Sequence, residues 1–165
     1  PLMHEVGDRW EDGRLCVASE HLASAAVRNL LGGTLRRTAQ SSNSLPILFT
    51  TLPGDRHELG VLSCAAIAVE LGANAIYLGP DLPIGEVVAA SGATRAGAVA
   101  VGASGCSPAR QRERAVRQLR RALPSDVALW IGGSGSKSLT LPDRTERIEG
   151  VEELEQKVLL QEFRR

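Results

Sequence analysis

The stretch Pro46-Ile47-Leu48-Phe49-Thr50-Thr51-Leu52-Pro53-Gly54-Asp55-Arg56-His57-Glu58-Leu59-Gly60 decides the fold. It opens on an apolar run without alternation, turns at Pro-Gly, and ends where helical spacing begins. That is a strand, a loop and a helix start, and the pattern recurs downstream. Residues 58–71 read as a helix closed by Gly72, 75–78 as a strand, 84–94 as a helix and 98–103 as a strand. Residues 108–123 follow as a helix, 127–131 as a strand, 147–148 as a brief fifth strand and 151–163 as a closing amphipathic helix. Non-alternating apolar strands separated by helices mean a parallel sheet covered on both faces. With right-handed crossovers the expected class is α/β, a flavodoxin-like doubly wound five-stranded parallel sheet. In such a sheet ligands sit at the carboxyl ends of the strands.

Upstream the pattern is helical. Residues 2–10 read as the end of a helix and 11–14 as a turn around Gly13. A second helix carries Ser19-Glu20-His21 near its start, with Val17, Leu22, Ala25, Ala26, Leu30 and Leu31 at helical spacing. Gly32-Gly33 is expected to end it. The plan is therefore part of a helical cap over residues 1–35, a polar linker over 36–45 and an α/β domain over 46–165. Two helices cannot bury both of their faces alone, so the cap is expected to be incomplete, with further helices upstream or on a partner.

The 165 residues suit one domain with a small appendage. A formal net charge of zero and 3% aromatic residues argue against direct nucleic-acid binding. Cys16, Cys64 and Cys106 are odd in number and far apart, without redox or metal spacing, which fits a reducing cytoplasm. No apolar run is long enough to span a membrane.

The chemistry gathers in the loops after the strands. Asp55-Arg56-His57 follows the first, Gly79-Pro80-Asp81 the second, Ser104-Gly105-Cys106-Ser107 the third and Gly132-Gly133-Ser134-Gly135 the fourth. All open on one sheet edge. His57 is the good metal-ligating nitrogen of the set. Asp55 is placed to hold its other ring nitrogen, as carboxylates do behind metal-bound imidazoles. Two motifs fail. Gly102-Ala103-Ser104-Gly105-Cys106 lacks the glycine that would complete a nucleophile elbow. Gly132–Ser138 has Ser136 where a phosphate loop needs glycine before Lys137. The run Arg110, Arg112, Arg114, Arg117, Arg120 and Arg121 reads as a solvated helix face rather than a nucleic-acid patch.

Asp55-x-His57-x-x-Gly60, then Ser104, then Gly132-Gly133, resembles the cobalamin-binding domains related to methionine synthase over about residues 45–165. The resemblance implies that His57 is the lower axial ligand of cobalt. It also implies that the displaced nucleotide tail enters a slot lined by Ser104 and Gly132-Gly133, and Arg56, Gly60 and Gly105 are counted with them as cofactor-binding residues. The family often has Ser-x-Leu where this chain has Ser104-Gly105-Cys106, so that wall differs. Trp10, with Glu20-His21 ten residues on, is similar to the helical cap of the cobalamin-dependent light sensors allied to MerR-type repressors. That likeness implies a Trp over the upper corrin face, adenosylcobalamin as the cofactor, and light-driven cleavage of its cobalt–carbon bond. The family's His after the Trp is Glu11 here, so an upper imidazole from that position is missing.

The reading is thus a sensor or binding module rather than an enzyme. Adenosylcobalamin is the expected cofactor, with methylcobalamin or hydroxocobalamin as alternatives and a non-covalent bilin left open. The expected partners are a second copy or a fused output domain. The competing readings are a corrinoid methyl carrier of a cobalamin-dependent methyltransferase, and a scaffold that has lost its ligand.

Overall fold

The computed structural model describes residue 5, residues 9–10, residues 12–37 and residues 44–162. Helix α1 (Val17–Arg37) precedes the sheet. Then β1 (Ile47–Thr51), α2 (Leu59–Glu70), β2 (Ala75–Gly79), α3 (Ile84–Thr94) and β3 (Ala98–Gly102) alternate. Next come α4 (Ala109–Ala122), β4 (Ala128–Gly132), a short 3₁₀ turn (Ser134–Ser136), β5 (Thr145–Ile148) and α5 (Val151–Glu162). The strands run parallel in the order β2-β1-β3-β4-β5. This is the flavodoxin-like α/β arrangement expected from the sequence.

The two faces of the sheet are filled differently. Leu48, Val99, Val101, Leu129 and Ile131 meet α3 and α4 through Val87, Val116 and Leu119. Ile47, Phe49, Ala98, Ala100 and Trp130 meet α2 and α5 through Val61, Ala65, Leu154 and Val158. Burial on both faces is why the strand sequences lack polar alternation.

The first helix outruns its expected end. Gly32-Gly33 lie inside α1, which continues to Arg37, so the helix extends past 35 and into the region read as linker. Each interior glycine costs a helix about 1 kcal/mol. Here the helix is held beyond the pair because Leu35 packs against the core under α2. The rest of the expected linker, residues 38–43, lies outside the described residues. Of the expected helix end at 2–10, Glu5, Arg9 and Trp10 are described, and all three are helical. The turn is as read, with Gly13 at φ +68° and its N–H bonded to the Trp10 carbonyl at 3.0 Å.

The arginine helix also departs from its reading. Arg110, Arg114 and Arg121 are exposed, but Arg112 and Arg120 are buried. Arg120 donates to the carbonyls of Val127 at 2.7 Å and Leu123 at 3.1 Å, and to that of Pro124. A guanidinium with five donors is suited to gather the carbonyls where a helix ends. Arg112 donates to the Ser107 carbonyl and, at 3.2 Å, to Ser138 Oγ. It thereby ties the loop after β3 to the segment after β4. Among the described residues no helix is long and apolar enough to cross a membrane.

Candidate functional site

The site is built on Asp55, which is buried in the loop after β1. Its Oδ1 accepts the His57 backbone N–H at 3.0 Å and lies 3.0 Å from His57 Nδ1. Its Oδ2 accepts the Ser104 N–H at 2.6 Å. Burial pushes the Asp55 pKa up, but the bonds from Ser104 and His57 outweigh it and hold the group below the usual carboxylate value. One carboxylate thus joins the loops after β1 and β3 and orients the imidazole. In the tautomer that donates Nδ1–H to the carboxylate, Nε2 presents its lone pair away from Asp55. The His57 side chain is 63% exposed, so that lone pair is within reach of a ligand.

Hydroxyls of β1 brace the loop. Thr51 Oγ1 donates to the Asp55 carbonyl and accepts the Asp81 N–H at 2.9 Å. Asp81 in turn accepts the Gly54 N–H at 2.6 Å and lies 3.4 Å from Arg56 Nε. The loop after β4 is seated on the loop after β3. A Cβ on Gly133, whose φ is +93°, would stand 2.5 Å from the Ala103 carbonyl oxygen, and one on Gly135 would strike the Ser104 carbonyl. These glycines are required by contact between two loops.

Two cavities meet at His57 and Gly60, which line both. One, of about 450 Å³, runs beneath α2 and α5 along the sheet. Its mouth carries Ser104, Gly132, Gly133 and Ser134. Its walls are Phe49, Val61, Cys64, Trp130, Ile148 and Leu154. Phe49, Ala100 and Trp130 are in register on adjacent strands, as are Thr51, Gly102 and Gly132. Small residues on β3 between larger neighbours leave a trough. The second cavity, about 560 Å³, lies between α1 and the His57 loop and is lined by Glu20, His21, Ser24, Arg28, Arg56 and Glu58, among others.

The structure therefore brings together Asp55, His57, Gly60, Ser104, Gly132 and Gly133, with Arg56, Glu20 and His21 across the second cavity. Trp10 is 46% exposed and lines neither cavity, nor does Gly105. Ser104 holds Asp55 through its backbone N–H, while its hydroxyl accepts the Cys106 N–H at 3.3 Å. Sequence reasoning missed Phe49, Ala100, Trp130 and Leu154. It noted Cys106 only as a departure in the slot wall, and its Sγ lies 3.5 Å from His57 Nε2. The alternation of size in Ala98-Val99-Ala100-Val101-Gly102 is the signal that would have pointed to the trough.

A lone imidazole nitrogen beside an apolar slot, at the carboxyl edge of a parallel sheet, fits a metal that brings its other ligands in a macrocycle with a detachable tail. Fold and site define a corrinoid-binding α/β domain. The B12 binding domain family model matches residues 1–32. The chain is 33% identical over 138 residues to the HTH-type transcriptional repressor CarH of Myxococcus xanthus, an alignment covering 84% of this chain and 46% of the repressor. It thus spans just under half the length of that curated relative. The fold is shared with the monomethylamine corrinoid protein of Methanosarcina barkeri, at TM-score 0.65 and 18% identity, covering 96% of this chain and 77% of that one. It is also shared with a cobalamin-binding protein of Desulfitobacterium hafniense, at TM-score 0.55 and 16% identity, over 96% and 75% of the two chains. The methanol:cobalamin methyltransferase complex of Methanosarcina barkeri matches at TM-score 0.61 and 15% identity, over 99% and 64%. The chain belongs to the B12-binding domains and is homologous to that repressor.

Proposed function

We propose that this domain holds adenosylcobalamin between α1 and the carboxyl edge of the sheet and serves as a light-sensing module. The observation that carries the reading is His57, oriented by Asp55 and shared by the two cavities. His57 Nε2 would hold the cobalt, and the slot behind Ser104 and Gly132-Gly133 would take the nucleotide tail. Arg56 and Gly105 belong to loops that would surround the ring, and Gly60 to the first turn of α2. Glu20 and His21 would face the ring from α1, with Trp10 on the same cap. When bound, adenosylcobalamin supplies a cobalt–carbon bond that visible light breaks. The chain's own residues would hold the ring between α1 and the sheet edge, and Asp55 orients the imidazole. The signal would pass to a second copy or to an output segment that regulates transcription in the cytoplasm, with no direct nucleic-acid contact from these residues.

The test is the absorption spectrum of the chain loaded with adenosylcobalamin in the dark, then lit with green light. A changed spectrum with a change in assembly supports the sensor; an unchanged spectrum sinks it. Methyl transfer from a methylcobalamin-loaded chain to a thiol would favour a methyl carrier instead. His57→Ala should lower cobalamin affinity at least as much as loss of a supporting group behind a metal ligand does, about 10–100-fold, and remove the protein-nitrogen spectral signature. An unaltered affinity and spectrum would favour the ligand-free scaffold.

A further inference from the structure

Arg28, Glu58 and Tyr77 come from three separate parts of the chain: α1, the residue before α2, and β2. Arg28 Nε lies 2.5 Å from Glu58 Oε1, and the Tyr77 hydroxyl donates to Glu58 Oε2. Glu58 occupies the N-cap position of α2, where a carboxylate would ordinarily bond the first free N–H groups. It makes no such bond. Its carboxylate is turned outward to the cap helix, and its side chain is only 14% exposed. Burial and the adjoining Glu58 carboxylate push the Tyr77 pKa well up, so the phenol stays a donor. Tyr77 thereby fixes the carboxylate to the sheet, and Arg28 reaches it from the helix.

Location gives the contact its consequence. Glu58 directly follows His57, and both line the cavity beneath α1 with Arg28, Glu20 and His21. Elsewhere α1 leaves Leu22 and Leu30 more than 70% exposed, so only a narrow stripe of it is docked. Among the described residues Arg28–Glu58 is the ion pair that joins α1 to the α/β domain.

We propose that Glu58 is a positioning residue that sets the height of α1 above the His57 loop and, through it, how fast a corrinoid leaves the cavity. A helix displaced from the sheet must break a charge-assisted bond whose acceptor is anchored on β2 and cannot follow. The proposal rests on the cavity being the corrinoid seat, as argued above.

The experiment measures dark release of hydroxocobalamin from the full chain by absorbance, for wild type, Arg28→Ala, Glu58→Gln and the double variant. Each single substitution should speed release about 5–10-fold, the effect of losing one partly exposed charge-assisted bond. The double variant should be no faster than the faster single, because both remove one interaction. The exchanged pair, Arg28→Glu with Glu58→Arg, should recover part of the slow release. Multiplying effects in the double variant, or no recovery on exchange, would overturn the proposal. Hydrogen exchange on the cofactor-free chain gives a second arm. Arg28→Ala should raise exchange in α1 and leave β1 and β3 as they were; unchanged protection of α1 also overturns it. A wild-type chain that takes no corrinoid would sink the binding function and the release effect, while the exchange arm still decides whether Glu58 positions α1.

Discussion

The two faces of this sheet are made from the same strands and have opposite uses. On β3, Val99 and Val101 point to the α3–α4 side, where Leu48, Leu129 and Ile131 complete a filled core. Ala98, Ala100 and Gly102 point to the α2–α5 side, where a cavity remains. Both sets are apolar, so the difference is one of side-chain volume. A hydrophobic core is packed nearly as densely as an organic crystal, and omitting volume along one row leaves a hole that must be walled by other residues. Phe49 and Trp130 do this on either side of Ala100. One face provides stability and the other provides room.

Substitutions on the two faces should therefore fail in opposite ways. The largest effect is expected from Leu129→Ala on the filled face. Leu129 is fully buried, and its truncation should cost about 2–5 kcal/mol in denaturant unfolding. Corrinoid affinity, measured where the variant is folded, should change little. Ala100→Leu on the other face should do the reverse. The added side chain enters the 450 Å³ cavity, so unfolding in the ligand-free chain should move little. Crowding in the loaded slot should weaken cobalamin binding by about 10–100-fold, equivalent to about 1–3 kcal/mol of overpacking. Equal loss of stability and affinity in both variants would break the division of labour between the faces.

The smallest effect concerns the outer layer of the filled face. Glu113 on α4 accepts the Thr140 N–H at 2.9 Å and pairs with Arg117 at 2.8 Å. The Thr140 bond, with Arg117 beside it, holds its pKa below the usual value. An unfolded glutamate titrates near 4.3, about the pH above which the stabilisation is fully present. It is lost as pH falls through the lower folded value. The gap in unfolding midpoint between wild type and Glu113→Gln should be small near neutrality and close in acid; a gap that persists there would show that the carboxylate charge is irrelevant.

How much was legible in the sequence follows from how local each feature is. Asp55 and His57 are two residues apart, and a bond across that distance depends on one turn, so the spacing alone pointed to it. The loop set on one edge followed from the parallel order of strands. Ser104 was found as a residue, but its use of backbone N–H depends on where the β3 loop meets Asp55. Arg112 and Arg120 read as solvated because composition does not reveal which helix face meets a loop. Gly32-Gly33 read as a helix end because its local cost is visible and the compensating packing of Leu35 is not.

The order of elements, the parallel sheet and the histidine motif were determined by the sequence itself, through periodicity, breakers and short-range spacing. The slot, the two cavities meeting at His57 and the Arg28–Glu58–Tyr77 contact were decided by tertiary structure. They depend on register across three strands and on the docking of a helix thirty residues away from its partner in the chain. Side-chain volumes become a cavity, and charges become a link, once those distances are closed.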